Sequence, residues 1–134
     1  MDTTTFEYTT GGEFAVVDLT RDIAGWVRGR GDGLCHVFVP HATAGVALIE
    51  LGAGSEADAH TALQQLLPRD DRWVHRHGSP GHGADHLLPL VVPAALTLPV
   101  LDGVLALGTW QSVALIDTNV DNPHRTVRAS FLAG

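Results

Sequence analysis

The stretch from Leu105 to Asp117, LALGTWQSVALID, most constrains the fold, because it predicts one long, largely apolar strand near the end of the chain. Side chains alternate between the two faces of a strand, so Gln111 falls among apolar residues and Trp110 faces the other way. A buried Gln without hydrogen-bond partners would cost about 1–3 kcal/mol. We therefore interpret this strand as the floor of a functional site. The alternative is that Gln111 only bonds a neighbouring loop and that Trp110 packs in the core.

Short apolar runs between turn residues predict further strands. Residues 3–10 and 13–19 are separated by Gly11-Gly12, a pair typical of a β-hairpin. Asp102-Gly103 predicts a second hairpin turn directly before the long strand. Further strands are predicted at residues 34–40, 45–50, 96–101 and 126–132. This succession of strands favours a largely antiparallel sheet.

Helices are predicted where apolar residues recur at a spacing of three or four. One helix, capped by Asp18 or Thr20, is predicted to run to about Arg28, and a second begins at Ser55 with Asp58 as its capping-box partner. A third, short helix is predicted over residues 86–92. Mostly strands with two or three interposed helices indicate an α+β fold with a largely antiparallel, sandwich-type sheet.

The composition excludes several classes of function. A net charge of −7 argues against a nucleic-acid-binding surface. All eight basic residues are Arg, which excludes a Schiff-base lysine, a pyridoxal-phosphate anchor and a P-loop lysine. The lone Cys35 excludes an internal disulfide and a cysteine zinc cluster. With no signal peptide and no apolar run long enough to span a bilayer, we expect a cytoplasmic protein with no membrane partner. The chain shows no repeat or boundary, so we predict a single domain over residues 1–134.

Histidine is the residue type that most suggests chemistry, because four of the eight His residues fall between positions 75 and 86. His75 and His77 would share one face of an extended segment, His86 lies at a predicted helix start, and His41 lies beside a predicted strand pair. Catalytic zinc is held by three converging imidazoles, which makes His41, His75 and His86 candidate metal ligands. The alternative is a structural loop that happens to be rich in His, since this spacing is no zinc signature. We expect His77 and His82 to be solvated loop residues.

Three charged side chains are candidates for the same site. Glu50 and Asp58 could supply oxygen ligands or act as acid–base groups. Arg125, which follows a predicted turn, could hold an anion. The structural alternatives are that Glu50 ends a strand in solvent, that Asp58 only caps a helix and that His41 caps a turn.

Five segments together resemble the YjbQ-type family, whose members are often labelled secondary thiamine-phosphate synthases. They are HATAGVALIE with Asp58 eight residues beyond it, LLP, a spacing of eleven between the histidines of WVH and DH, DGVLALGTWQSVALID, and HRTVRASFLAG. The resemblance runs from Leu34 to Gly134. It implies a compact α+β or β-sandwich-like domain that assembles as a homotrimer.

The resemblance also implies an activity and a set of site residues. The activity is a weak, thiamine-phosphate synthase-type transfer that joins a pyrimidine pyrophosphate to a thiazole phosphate and releases pyrophosphate. The polar positions shared with the family are implied to gather in a cleft near the subunit contact, and they are His41, Glu50, Asp58, His75, His86, Gln111 and Arg125. The chain departs from the family pattern at Ile49, Pro89 and Pro93, and Ile49 removes one donor and acceptor from the implied site.

Three functions therefore stay open. A transferase of the thiamine-phosphate type would use His75 and His86 for leaving-group protonation or metal binding, and Asp58 or Glu50 would hold Mg²⁺ or orient a histidine. Arg125 would contact the anionic substrate, and Gln111 would orient it. A hydrolase dependent on zinc or manganese would use His41, His75 and His86 as ligands. A non-catalytic trimer would instead bind a phosphorylated metabolite.

Overall fold

Eight strands form two antiparallel sheets in the computed structural model, which describes residues 1–134. The strands are β1 (Asp2–Thr9), β2 (Ala15–Asp18), β3 (Gly33–Phe38), β4 (Ala44–Ile49), β5 (Ala95–Leu101), β6 (Val104–Leu105), β7 (Ser112–Asp117) and β8 (His124–Ala133). The larger sheet has the order β1-β8-β3-β5-β6, and the smaller has the order β2-β7-β4. All neighbouring strands in both sheets run antiparallel.

Three helical segments accompany the sheets: α1 (Thr20–Val27), α2 (Ser55–Leu66) and a 3₁₀ helix (His82–Leu90). This architecture confirms the predicted α+β class with its antiparallel, sandwich-type sheets. None of the helices has both the length and the apolar character that a membrane crossing requires.

The central strand β7 is buried on both faces and separates two apolar clusters. Val113 and Leu115 belong to the larger cluster, which lies between the two sheets. Ala114 and Ile116 belong to a smaller cluster with Leu63 of α2 and residues of the 3₁₀ helix. The run of apolar residues in β7 therefore reflects a strand that is covered by a sheet on one side and by helices on the other.

The predicted long strand from Leu105 to Asp117 is wrong, because a turn divides it. β6 ends at Leu105 and β7 begins only at Ser112. Between them, the Gln111 side-chain Oε1 accepts a hydrogen bond from the Gly108 N–H at 2.8 Å, and the Gln111 N–H donates to the Gly108 carbonyl at 3.0 Å. The local interpretation of Gln111 is therefore correct, whereas Trp110, at 73% exposed, is not part of the core.

The two predicted hairpins have different outcomes. Gly11 and Gly12 do make a turn with positive φ, but β1 pairs with β8 of the larger sheet and β2 pairs with β7 of the smaller one. The turn therefore carries the chain between sheets and does not close a hairpin. Asp102-Gly103 does join β5 to β6, and both residues have the positive φ that such tight turns require.

The helices begin and end close to the predicted positions, but their caps differ. Gly54, with a φ of 92°, occupies the N-cap of α2, so the predicted capping box with Asp58 does not form. Glu56 instead accepts a hydrogen bond from the Gly52 N–H at 2.7 Å. The third helix is a 3₁₀ helix and begins four residues before the predicted start at residue 86.

Candidate metal centre

Four histidine side chains converge beside the 3₁₀ helix. One ring nitrogen of each lies within 4.8 Å of the corresponding nitrogens of the others. His82 and His86 are four residues apart on the helix, and His75 and His77 come from the preceding loop. His82 is buried, His86 is half-buried, and the two loop histidines are exposed. The histidine cluster is therefore closed on its helix side and open to solvent on its loop side.

The ring nitrogens are close enough to share one ion. Nε2 of His82 lies 2.9 Å from Nε2 of His86. In a tetrahedral zinc site with Zn–N bonds of about 2.0–2.1 Å, neighbouring nitrogens are about 3.3 Å apart, so a small adjustment would suffice. The ring of His75 lies 4.1 Å from that of His86 and 4.0 Å from that of His77, centre to centre. Without an ion, the 2.9 Å contact is also the length of a hydrogen bond between two neutral imidazoles.

Two carboxylates lie at the second ring nitrogen of His82. Its Nδ1 is 3.0 Å from Oδ2 of Asp121 and 3.2 Å from Oδ2 of Asp85, at angles that do not make hydrogen bonds. Ser79 holds Asp121 through its N–H and its hydroxyl, both at 3.1 Å. Arg69 pairs with Asp85. In metal sites, a carboxylate behind a ligating imidazole fixes the ring and raises its basicity.

Crowding favours the neutral form of His75 and His86. Desolvation lowers the pKa of His75 below its ordinary value of 6.5, and His77 and His82 lower it further. Desolvation also lowers the pKa of His86, as do the three other histidines, while Asp85 acts in the opposite direction. Because neutral imidazole is the form that binds metal, these two side chains are suited to binding at neutral pH.

Two glycines allow the loop to approach the 3₁₀ helix closely. Gly78 has a φ of +78°, and a Cβ there would lie 2.7 Å from Oδ2 of Asp121. A Cβ at Gly83 would lie 2.6 Å from the carbonyl oxygen of His75 and 2.7 Å from Cβ of Trp73. A larger residue at either position would therefore displace the loop that carries two of the histidines.

Arg125 and Asp117 form an ion pair inside the fold. They are 1% and 0% exposed, and the guanidinium donates to both carboxylate oxygens, at 2.7 and 2.9 Å. Arg125 also donates to Oγ1 of Thr43 at 2.9 Å, and Thr10 donates to Asp117 at 2.8 Å. The charge of Arg125 is therefore neutralised and enclosed, and it is not presented to solvent as the predicted anion-binding group would be.

His41 lies beside this ion pair. Its Nε2 accepts a hydrogen bond from the Thr126 N–H at 2.8 Å, which occupies the lone pair that a metal would need. Burial and then the charge of Arg125 lower the pKa of His41. Of the three predicted metal ligands, the structure brings His75 and His86 together and leaves His41 outside the histidine cluster.

Three other predicted site residues are exposed and lie outside the histidine cluster. Glu50 directly follows β4, and Asp58 lies in the first turn of α2. Gln111 closes the turn before β7. None of them belongs to the histidine cluster. Glu50 ends a strand and Gln111 closes a turn, as their structural alternatives state, whereas Asp58 does not cap its helix, because Gly54 occupies the N-cap without a side-chain cap bond.

Sequence reasoning missed two members of the histidine cluster. His82 was expected to be solvated, but it is 6% exposed, and His77, although exposed, packs its ring against that of His75. The spacing of four between His82 and His86 places both on one face of a helical turn, which is the signal that could have found them. Starting the predicted helix at residue 86 concealed that spacing.

A cleft of about 260 Å³ opens beside the histidine cluster, and apart from Pro80 and two glycines its lining is polar, with Asp70 and Asp71 among the lining residues. His75 and His82 form part of its wall, together with Arg69 and Arg76. Arg76 donates to the backbone carbonyls of Trp73 and Asp71 and pairs with no carboxylate. Its positive charge is therefore available to an anion in the cleft.

A family model described as "UPF0047 protein YjbQ-like" matches residues 4–134. The chain belongs to the UPF0047 family. One relative in it, UPF0047 protein Rv2556c of Mycobacterium tuberculosis strain H37Rv, is 59% identical over 119 residues, which span 89% of this chain and 90% of the relative. UPF0047 protein YugU of Bacillus subtilis is 28% identical over 103 residues, which span 73% and 75%. The resemblance drawn from the sequence motifs is thus confirmed.

Solved structures of UPF0047-like proteins have the same fold. The hypothetical protein APE1520 of Aeropyrum pernix K1 has a TM-score of 0.89 and 30% identity, with the whole of both chains covered. A YbjQ-like protein of unknown function from Sulfolobus solfataricus P2 has a TM-score of 0.91 and 24% identity, with 99% and 97% covered. The two-sheet architecture of this UPF0047 protein is therefore shared with distant relatives.

Proposed function

We propose that this UPF0047 protein binds a divalent metal ion, zinc in the first place, and hydrolyses a phosphorylated small molecule there. The observation that carries the proposal is the convergence of four imidazole nitrogens within 4.8 Å. Catalytic zinc is typically held by three protein ligands and keeps an open position for water or substrate. The exposed loop side of the histidine cluster offers such a position.

The three ligands in this proposal are His75, His82 and His86. The Nε2 atoms of the two helix histidines already face each other at 2.9 Å. The rings of His75 and His77 both lie more than 5 Å from the ring of His82, so their distances to His82 do not identify the third ligand. We therefore choose the loop histidine whose ring is nearer to that of His86. That distance is 4.1 Å for His75 and 5.7 Å for His77.

The other residues support hydrolysis of a phosphate ester. A bound ion supplies Lewis acidity and lowers the pKa of a water molecule. Asp121 and Asp85 lie 3.0 and 3.2 Å from Nδ1 of His82 and would orient the ring once an ion binds Nε2. Arg76 attracts the phosphate to the cleft, and the exposed His77 donates a proton to the leaving group.

Metal analysis of variants tests the site itself. After dialysis against zinc and then against buffer, the wild type should hold about one ion per chain, and His82→Ala and His86→Ala should hold none. His36→Ala is the matched control, because His36 lies on the exposed face of β3, where its Nδ1 is 2.9 Å from Oγ1 of Thr97, and it is outside the histidine cluster. A wild type that retains less than a tenth of an ion per chain would overturn the proposal.

Replacing His77 distinguishes a catalytic metal site with three ligands from a structural site with four. With p-nitrophenyl phosphate as the probe, His77→Ala should keep its zinc and lose about 10²–10⁴-fold in rate, the usual contribution of a general acid. If His77→Ala loses zinc as completely as His82→Ala does, the histidine cluster is a closed four-ligand site. The hydrolase proposal would then be wrong.

The thiamine-phosphate synthase-type reaction and the role of a trimeric metabolite binder stay predictions. The hydrolase and the transferase would both act on phosphorylated substrates, so binding of such a substrate does not distinguish them. The reaction product does. An assay with a pyrimidine pyrophosphate and a thiazole phosphate detects the joined product of the transferase, and the hydrolase would release only inorganic phosphate. Equal trace rates in wild type, His75→Ala and Arg125→Ala would remove the transferase assignment of these residues.

A further inference from the structure

A second cavity, of about 180 Å³, lies between α2, the turn after β1 and the beginning of the 3₁₀ helix. None of the four histidines of the metal centre lines it. Its apolar wall is formed by Phe14, Leu63, Leu67, Ala84 and Val120. This cavity is therefore a separate space with a different chemical character from the polar cleft beside the histidine cluster.

One side of this cavity is an ordered aromatic wall. The rings of Phe14 and His60 are stacked in parallel, with centres 4.3 Å apart and planes within 5°. Leu63 lies one turn along α2 from His60, is 8% exposed and lines the cavity beside these two rings. Flat rings held in this way offer a face on which another ring can stack or pack edge-on.

The opposite side holds one polar atom without a hydrogen-bond partner in the protein. Oγ1 of Thr118 is buried and makes no hydrogen bond, whereas Oδ2 of the buried Asp85 faces Nδ1 of His82 at 3.2 Å. The other Asp85 oxygen is paired with Arg69, which also donates to the Thr118 carbonyl at 3.3 Å. Buried acceptors of this kind nearly always have a donor in a native structure. The Arg69–Asp85 pair leaves this side with no net charge.

We propose that this cavity binds a neutral compound with a single aromatic ring and one O–H or N–H donor. A cavity of about 150 Å³ is known to hold one benzene ring, so the size selects a single ring. The ring packs against Phe14 and Leu63, and the donor reaches Oγ1 of Thr118. Glu13 lines the same cavity, and its carboxylate disfavours a negatively charged ligand.

The test compares three probes of similar size, phenol, toluene and benzoate, in NMR titrations of the intact wild-type protein. Phenol should bind at least about tenfold more tightly than toluene, because only phenol supplies a donor to the unpartnered Oγ1 of Thr118. Benzoate should bind more weakly than either. Toluene that binds as well as phenol, or benzoate that binds best, would overturn the proposal.

Variants of residues that line the cavity test whether phenol binds there. Leu63→Phe fills the space and should abolish the phenol shifts, whereas Leu66→Phe on the exposed side of the same helix should leave them unchanged. Thr118→Val keeps the shape of the side chain and should bring phenol affinity close to that of toluene. If Leu63→Phe does not fold, Thr118→Val decides the question alone. Unchanged phenol binding in Thr118→Val, together with unchanged binding in any folded Leu63→Phe, contradicts the site.

Discussion

Replacing Arg125 by methionine tests whether this arginine is structural or ligand-binding. Methionine keeps the length of the side chain but removes every donor, which leaves the carboxylate of Asp117, 0% exposed, with only the Thr10 hydroxyl and the Asn119 N–H. Breaking a buried ion pair from one side costs about 3–5 kcal/mol. At roughly 4 °C per kcal/mol for a chain of this length, the melting temperature should fall by about 12–20 °C.

Thermal unfolding followed by circular dichroism measures this shift. Arg128→Met is the matched control, because Arg128 is an exposed residue of the same strand and should change the melting temperature by less than about 2 °C. The double variant Arg125→Met/Asp117→Asn should recover part of the loss, since it removes the unpaired buried charge. If Arg125→Met melts within about 3 °C of the wild type, the structural reasoning is refuted. Loss of phosphate binding in that stable variant would instead establish the anion-binding role predicted from the sequence.

Three further outcomes are expected. Gly83→Ala should weaken zinc affinity about tenfold in a competition titration, because its Cβ would displace the His75 carbonyl; Gly25→Ala, where a Cβ meets nothing within 4 Å, should not. The unfolding free energy of the metal-free protein should fall as the pH is lowered through 6.5. Burial and the charge of Arg125 lower the pKa of His41 in the folded protein, so the unfolded chain binds more protons at this residue as the pH falls. In denaturant titrations, His41→Gln should make the unfolding free energy depend less on pH. Sedimentation should give three times the 14.2 kDa chain mass if the predicted homotrimer forms, and a single species of 14.2 kDa would exclude it.

The fold class was predictable because most elements carry a local signal that their tertiary setting preserves. In β3, buried Cys35 and Val37 alternate with exposed Leu34 and His36, so the period of two survives in the structure. In α1, Ile23 and Val27 are four residues apart and both are fully buried. Such patterns depend only on which face meets the core.

The pairing of strands was harder to predict, because it depends on contacts between distant parts of the chain. Gly11-Gly12 has the composition of a hairpin turn, yet β1 and β2 pair with strands more than ninety residues further along. The polar stretch before β7 was read as strand because its flanks are apolar. The side-chain bond from Gln111 to the Gly108 N–H closes a turn there, and alternation cannot reveal such a bond.

The candidate site was only half predictable for a related reason. His75 and His86 were identified by residue type, but their partners were set by the path of a long polar loop. Gly78 and Gly81, both with positive φ, turn this loop back onto the 3₁₀ helix and bring His77 to the histidine cluster. Arg125 was identified as a functional residue because it follows a turn, and nothing in the sequence indicates that Asp117 lies opposite it on a buried strand.

The departures from the family pattern do not touch the histidine cluster. Pro89 lies within the 3₁₀ helix but after both of its histidines, and the chain continues with Val91 and Val92 N–H groups donating to the Leu88 carbonyl. Ile49 is half-buried against the smaller apolar cluster, a setting in which an Asn would need hydrogen-bond partners that an Ile does not. These substitutions therefore alter the support of the smaller sheet and leave the convergent imidazoles in place. A failure of the proposed metal binding would be sought first at the loop glycines and at the carboxylates behind His82.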